Sequence, residues 1–180
     1  MRRGFEEILQ LAKIGAKWNL DSEEGYVAIQ KLAREAGINK DQLVYYVSAY
    51  QAACESGLKA LTYKKPMPEE VRIKAVRKVN AFLAARLPKQ ENAANKVGFQ
   101  VIAKDNRITA SEKRPLFADP SQASCIECFQ IRYTDFDQRW HLYWKRLSGK
   151  WWPYVPGASV TTIEDCLREI KKDSYGCFWG

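Results

Sequence analysis

Residues 139–154, Arg-Trp-His-Leu-Tyr-Trp-Lys-Arg-Leu-Ser-Gly-Lys-Trp-Trp-Pro-Tyr, constrain the fold of this chain more than any other stretch, and they hold four of its six tryptophans. Trp140, Leu142 and Trp144 share one parity, while Arg139, His141, Tyr143 and Lys145 share the other. That is the period-two alternation of a strand with one apolar side. Leu147-Ser-Gly-Lys150 supplies a glycine-containing turn, after which Trp151 to Val155 runs back, with Pro153 favouring a sheet edge. A two-stranded hairpin is marginal in water, so the rest of the chain must supply further strands and covering helices.

A chain of 180 residues, 46% of them hydrophobic, can build one good core or two small ones joined by a linker, and two are expected. No apolar run approaches the roughly 18 residues of a membrane span, and Met-Arg-Arg-Gly-Phe-Glu-Glu lacks the apolar stretch of a secretory signal. The expected location is cytoplasmic, with no membrane partner. Cys54, Cys125, Cys128, Cys166 and Cys177 are odd in number, which favours free thiols over a disulfide framework. The net charge is +8, with ten basic and eight acidic residues up to Lys65 and nineteen and thirteen beyond it. Such a surplus attracts phosphate, and nucleic acid is the expected partner, DNA ahead of RNA.

Residues 3–17 place Phe5, Ile8, Leu9, Ala12 and Ala16 on one helical stripe. Asp21 with Glu24 has capping-box spacing and opens a second helix, whose apolar positions Val27, Ile29, Leu32, Ala33 and Ala36 end at Gly37. Asn39 can cap a third, with Leu43, Tyr46, Val47 and Tyr50 as its buried stripe. A break as short as Ala36-Gly-Ile-Asn39 forces the two helices to cross steeply, with Ile38 plugging the angle, which is a helix-turn-helix arrangement. On this reading Lys40, Gln42, Tyr45 and Ser48 face a DNA groove, while Lys31, Arg34, Lys59, Lys64 and Lys65 hold phosphates.

Lys31 to Gln51, followed by Glu55-Ser-Gly-Leu-Lys-Ala-Leu61 and the basic Lys64-Lys65, resembles the helix-turn-helix of insertion-element transposases and related regulators. Two features depart from that pattern: Asp41 sits where phosphate would lie, and the reading helix carries no Arg.

Residues 1–61 thus form one helical domain, and 62–68, with Pro66 and Pro68 flanking Met67, an extended linker. From Glu69 to Leu87 a helix carries Ile73, Val76, Val79, Leu83 and Leu87 on one side. After Pro88 and a polar stretch, strands run from Val97 to Lys104, Arg107 to Arg114 and Cys125 to Thr134, the first two joined by an Asp105-Asn106 turn and a loop with Asp119-Pro120 preceding the third. Thr161 with Glu164 caps a closing helix with Ile163, Leu167 and Ile170 inward, and the aromatic tail to Gly180 should dock on the sheet. The expected fold class is α+β: a helix-turn-helix-like unit, then an antiparallel five-strand meander flanked by two helices. Glu112-Lys-Arg-Pro115, Ile131-Arg-Tyr133, Trp140 to Trp144, Trp151 to Tyr154 and Cys177-Phe-Trp-Gly180 are similar to a bacterial family designated domain of unknown function three-zero-two-four. The resemblance covers residues 69–180 and implies one compact helix, sheet and helix unit, with no activity attached.

Arg132, Arg139, His141, Tyr143 and Lys145 form a candidate second nucleic-acid face, able to stack bases and hold phosphates if open and simply core if covered. A zinc site starting from Cys125 and Cys128 lacks a second pair, and residues three apart on one strand face opposite ways, so no metal and no cofactor is expected. No phosphate-binding glycine loop or nucleophile motif is present. The expected function is non-enzymatic DNA binding, as a regulator or a mobile-element or defence accessory. Two alternatives stand beside it: an accessory subunit whose partner is another protein, and a metal-dependent nuclease using Asp105, Glu112 and Lys113, although Glu112 reads better as a same-face pair with Arg114.

Overall fold

The computed structural model describes residues 4–87, 97–117, 119, 121–155 and 159–179. Arg3 of the first expected helix, the stretch after Pro88, Pro120 and the closing Gly180 lie outside them. Its elements are α1 (Phe5–Gly15), α2 (Glu23–Glu35), α3 (Lys40–Thr62), α4 (Glu69–Ala84), β1 (Gly98–Lys104), β2 (Arg107–Pro115), β3 (Ala123–Thr134), β4 (Arg139–Lys145), β5 (Trp151–Pro153), β6 (Ser159–Val160) and α5 (Ile163–Lys172).

The fold is α+β, with an antiparallel sheet in sequential order from β1 to β5. Asp105 and Asn106 form the two-residue turn between β1 and β2, and Asp105 takes a positive φ of 54° there. β6 was not anticipated. It pairs Val160 with Trp140 on the same edge of β4 where β5 pairs Trp152 with Trp144, so the two are one interrupted edge strand. Two residues of pairing are too few to show as a period.

Ile108, Ala110, Phe129, Ile131, Trp140 and Leu142 point to one side of the sheet, where Ala75, Val79 and Leu83 of α4 and Ile163, Leu167 and Ile170 of α5 cover them. The aromatic tail closes this layer. Phe178 is buried, and Trp179 meets the rings of Phe82, Phe99 and Phe129 while its Nε1 donates to the Ile170 carbonyl at 3.0 Å. Asp173, at the left-handed C-cap of α5, turns the chain back by accepting from the Cys177 amide.

In the helical unit, Gly37 takes a φ of 61° and lets the Ile38 amide reach the Ala33 carbonyl, ending α2 in a tight turn. Asn39 Oδ1 then accepts from the amides of Asp41 and Gln42 and starts α3. The caps of α2 and α5 are Ser22 and Thr162, each one residue beyond the expected Asp21 and Thr161. α3 is not a straight helix. Its backbone breaks at Ala53 and Cys54, and Gly57 comes so close that a Cβ on it would lie 1.9 Å from the Ala49 carbonyl oxygen. After Tyr63 the chain crosses to the sheet, where the Met67 amide donates to the Asp105 carbonyl at 3.0 Å.

Candidate nucleic-acid interface

The second face of the sheet is polar and aromatic, and α3 packs over it against β3, β5 and β6. Of the two fates that the alternation leaves to the candidate second binding face, cover is the one found, and the face is not open to nucleic acid: Arg132, His141 and Tyr143 are all buried. Arg132 Nε donates to Gln130 Oε1 at 2.7 Å, Gln130 donates to Thr109 at 3.0 Å, and the guanidinium lies 3.7 Å from the centroid of the Tyr143 ring. Burial pushes the Tyr143 phenol up to about 12. Arg139 stays exposed and donates to the Ser159 carbonyl, and Lys145 pairs with Glu127. The alternation held, and the middle of this parity is covered while Arg139 at its end is not.

A relay ties the helical unit to this face. Ser56 of α3 donates to one oxygen of Asp137, and Thr134 donates to the other. With its proton committed to Asp137, the Thr134 hydroxyl accepts from His141 Nε2 at 2.9 Å, which selects the neutral Nε2–H tautomer. Burial, first of all, pulls the pKa of His141 down to about 4; Arg139 and Arg132 act in the same direction and Asp137 opposes them.

The expected groove-facing surface of α3 is also corrected in part. Ser48 is buried, and Tyr45 packs against Trp152 with ring centroids 5.3 Å apart. The reason is that α3 is apolar or neutral on two sides, and the sheet takes the second. Gln42 is exposed but donates to the Tyr46 hydroxyl at 2.7 Å, while Lys40 donates to the Tyr26 hydroxyl and sits 4.4 Å from its ring centroid. Of the expected phosphate contacts, Lys31 lies 4.0 Å from Glu35, Lys59 pairs with Glu55 at 2.7 Å, and Lys65 pairs with Asp135. Arg34 and Lys64 are exposed.

Where the amino end of α3 faces the tryptophan hairpin, a cleft of about 650 Å³ opens. The helix contributes Asn39, Asp41, Gln42 and Tyr45; the hairpin contributes Gly149, Lys150, Trp151 and Trp152; Arg132 reaches it from β3. Arg132 is only 5% exposed, and among the described residues no carboxylate forms an ion pair with it. Arg107 stands opposite Arg132 in the β2–β3 register, its buried Nε without a partner among the described residues. A buried guanidinium without a counter-charge is unfavourable, and an anion entering the cleft would relieve that. Asn39, Asp41, Lys150, Trp151 and Trp152 were not among the expected site residues. Gly149-Lys150 ahead of two adjacent tryptophans was the signal that could have marked the hairpin side.

Among the described residues no cluster of three or more His, Cys, Asp or Glu could hold a metal. Asp105 and Glu112 stand apart, the first in the β1–β2 turn and the second paired with Arg114 near the far end of β2. Burial raises the thiols of Cys128 and Cys177 to about 11 and that of Cys166 further still, so none of the three is poised as a thiolate. No described helix is long and apolar enough to cross a membrane.

No curated protein and no solved structure matches the chain. A family model described as domain of unknown function (DUF3024) matches residues 67–180, which leaves the first three helices outside it and takes in the sheet, α4, α5 and the hairpin side of the cleft. The match spans more than half of the sequence, and on it the chain belongs to the DUF3024 family.

Proposed function

We propose that the protein is a non-enzymatic DNA-binding protein that takes a single-stranded segment into the cleft between α3 and the tryptophan hairpin. The observation that carries this reading is Arg132, a buried guanidinium with no carboxylate partner among the described residues, lining a cleft together with Tyr45, Trp151 and Trp152. A phosphate supplies the missing counter-charge with charge-assisted hydrogen bonds, and the rings supply stacking surfaces of about 1–3 kcal/mol per base. Tyr45 and Ser48 are committed to the sheet, which favours an extended strand in the cleft over α3 laid in the groove of a duplex. Lys31, Arg34 and Lys64 add long-range attraction, and the pairs of Lys59 and Lys65 lie in solvent where such pairs are weak, so they can exchange a carboxylate for a phosphate.

Fluorescence anisotropy with a labelled mixed-sequence single strand and its duplex tests this. The single strand should bind more tightly, lose affinity steeply as salt rises, and bind about tenfold more weakly to Arg132→Gln. Binding indifferent to salt, or a preference for duplex that Arg132→Gln leaves unchanged, overturns it.

A second reading, as an accessory subunit, is supported by Tyr26 and Val27 on α2, which are 44% and 56% exposed, with Val27 beside Ala28 and Lys31 in a shallow depression. An apolar partner seated there would bind with little salt dependence.

A further inference from the structure

The cleft holds two opposite charges that do not meet. Arg132 and Asp41 both line it, yet they form no ion pair, and neither has an ionic partner elsewhere among the described residues. Asn39 holds the backbone amide of Asp41, fixing the residue in the first turn of α3 while its side chain stays exposed. A ligand that is phosphate alone would gain at Arg132 and be repelled at Asp41. The cleft therefore fits a ligand that is anionic at one end and presents hydrogen-bond donors at the other, with a flat body between.

An ionised carboxylate only accepts hydrogen bonds. Among the Watson–Crick edges of the DNA bases, guanine presents two adjacent donors, N1–H and the N2 amino group, which match the two oxygens of one carboxylate. Cytosine and adenine each offer an amino group beside an acceptor. Thymine offers one N–H between two carbonyls, which repel a carboxylate. The rings of Tyr45 and Trp152 are already seated against each other, so the wall against which a base would stack exists before the ligand arrives.

We propose that Asp41 is the specificity-determining residue of the cleft and that it selects an unpaired guanine whose phosphate is held by Arg132. This rests on the reading of the cleft as a nucleic-acid site. The guanine edge donates to both Asp41 oxygens, its ring lies along Trp152 and Tyr45, and Lys150, which also lines the cleft, adds positive charge that favours a nucleotide anion.

The test uses the full chain and four labelled oligodeoxythymidine strands that carry thymine, cytosine, adenine or guanine at one central position. The guanine strand should bind about tenfold more tightly than the all-thymine strand, with cytosine and adenine between. Asp41→Asn should remove that preference by raising the affinity for the all-thymine strand, whose carbonyls the carboxylate repels, and by weakening the guanine strand; Asp41 is exposed, so its loss does not threaten folding. Arg132→Gln should weaken every strand by a similar factor and keep the order. Free dGMP should displace a bound strand at lower concentration than dTMP. Equal affinity for all four strands, or a guanine preference that survives Asp41→Asn, overturns this inference and leaves the broader reading standing. Failure of every strand to bind overturns both.

Discussion

Tyr45 on α3 meets Trp152 on β5 edge to face, with ring centroids 5.3 Å apart and planes inclined by 72°. The contact joins the helical unit to the sheet and forms a wall of the cleft, so affinity and inter-unit packing are coupled. A double-mutant cycle of Tyr45→Ala and Trp152→Ala, read by chemical denaturation, should give a coupling energy of about 0.5–1.5 kcal/mol. Additive losses would mean that the rings do not act on each other.

Gly57 lies where two turns of α3 close on each other across the break at Ala53 and Cys54. An alanine there must push its Cβ away from the Ala49 carbonyl oxygen, which would otherwise lie at 1.9 Å. Gly57→Ala should lower stability by about 1–3 kcal/mol, seen as a fall in the thermal midpoint. An unchanged midpoint would show that the break in α3 relaxes freely.

His141 gives stability a pH dependence of known sign. Its ordinary pKa of 6.5 falls to about 4 in the folded chain, so between those values the unfolded state binds the extra proton and stability declines as pH falls. The loss should reach about 3 kcal/mol across that window and then level off. His141→Gln, whose amide can still donate to Thr134, should flatten that part of the stability–pH curve. A curve of the same slope in the variant would remove His141 as its source.

Asp137 accepts from both Ser56 and Thr134 and so fastens α3 to the β3–β4 turn. Asp137→Ala removes the acceptor shared by the Ser56 and Thr134 hydroxyls, leaving buried Thr134 the longer 3.3 Å contact to the Arg139 carbonyl, and should destabilise the chain by about 1–3 kcal/mol. Limited proteolysis should then cut within 63–68 faster than in the parent. Equal cleavage rates would place the fastening of the two units elsewhere.

Local periodicity exposed a good deal of this architecture. The parity of Trp140, Leu142 and Trp144 against His141 and Tyr143, the Asp105-Asn106 turn and the tight corner at Gly37 are short-range features, set by neighbours a few residues apart. The fate of the polar parity was not legible, because alternation says which side chains share a face and not what lies over it. That depended on α3, roughly 90 residues earlier in the chain, presenting Tyr45 and Ser48 to the sheet. Those two residues read as a solvent-facing surface because Leu43, Tyr46, Val47 and Tyr50 already supplied a complete apolar stripe. The cleft followed the same rule: Asp41 was visible as an oddity and Arg132 as one cation among many, and only the docking of the two units brought them to one place.

Ultraviolet cross-linking of the full chain to a labelled single strand, with the attachment sites read by mass spectrometry, tests the location of binding most directly. The cleft account predicts cross-links at Tyr45, Trp151 or Trp152, lost on competition with unlabelled strand. Specific cross-links confined to α2 around Tyr26, or to the outer surface of α4, would contradict it.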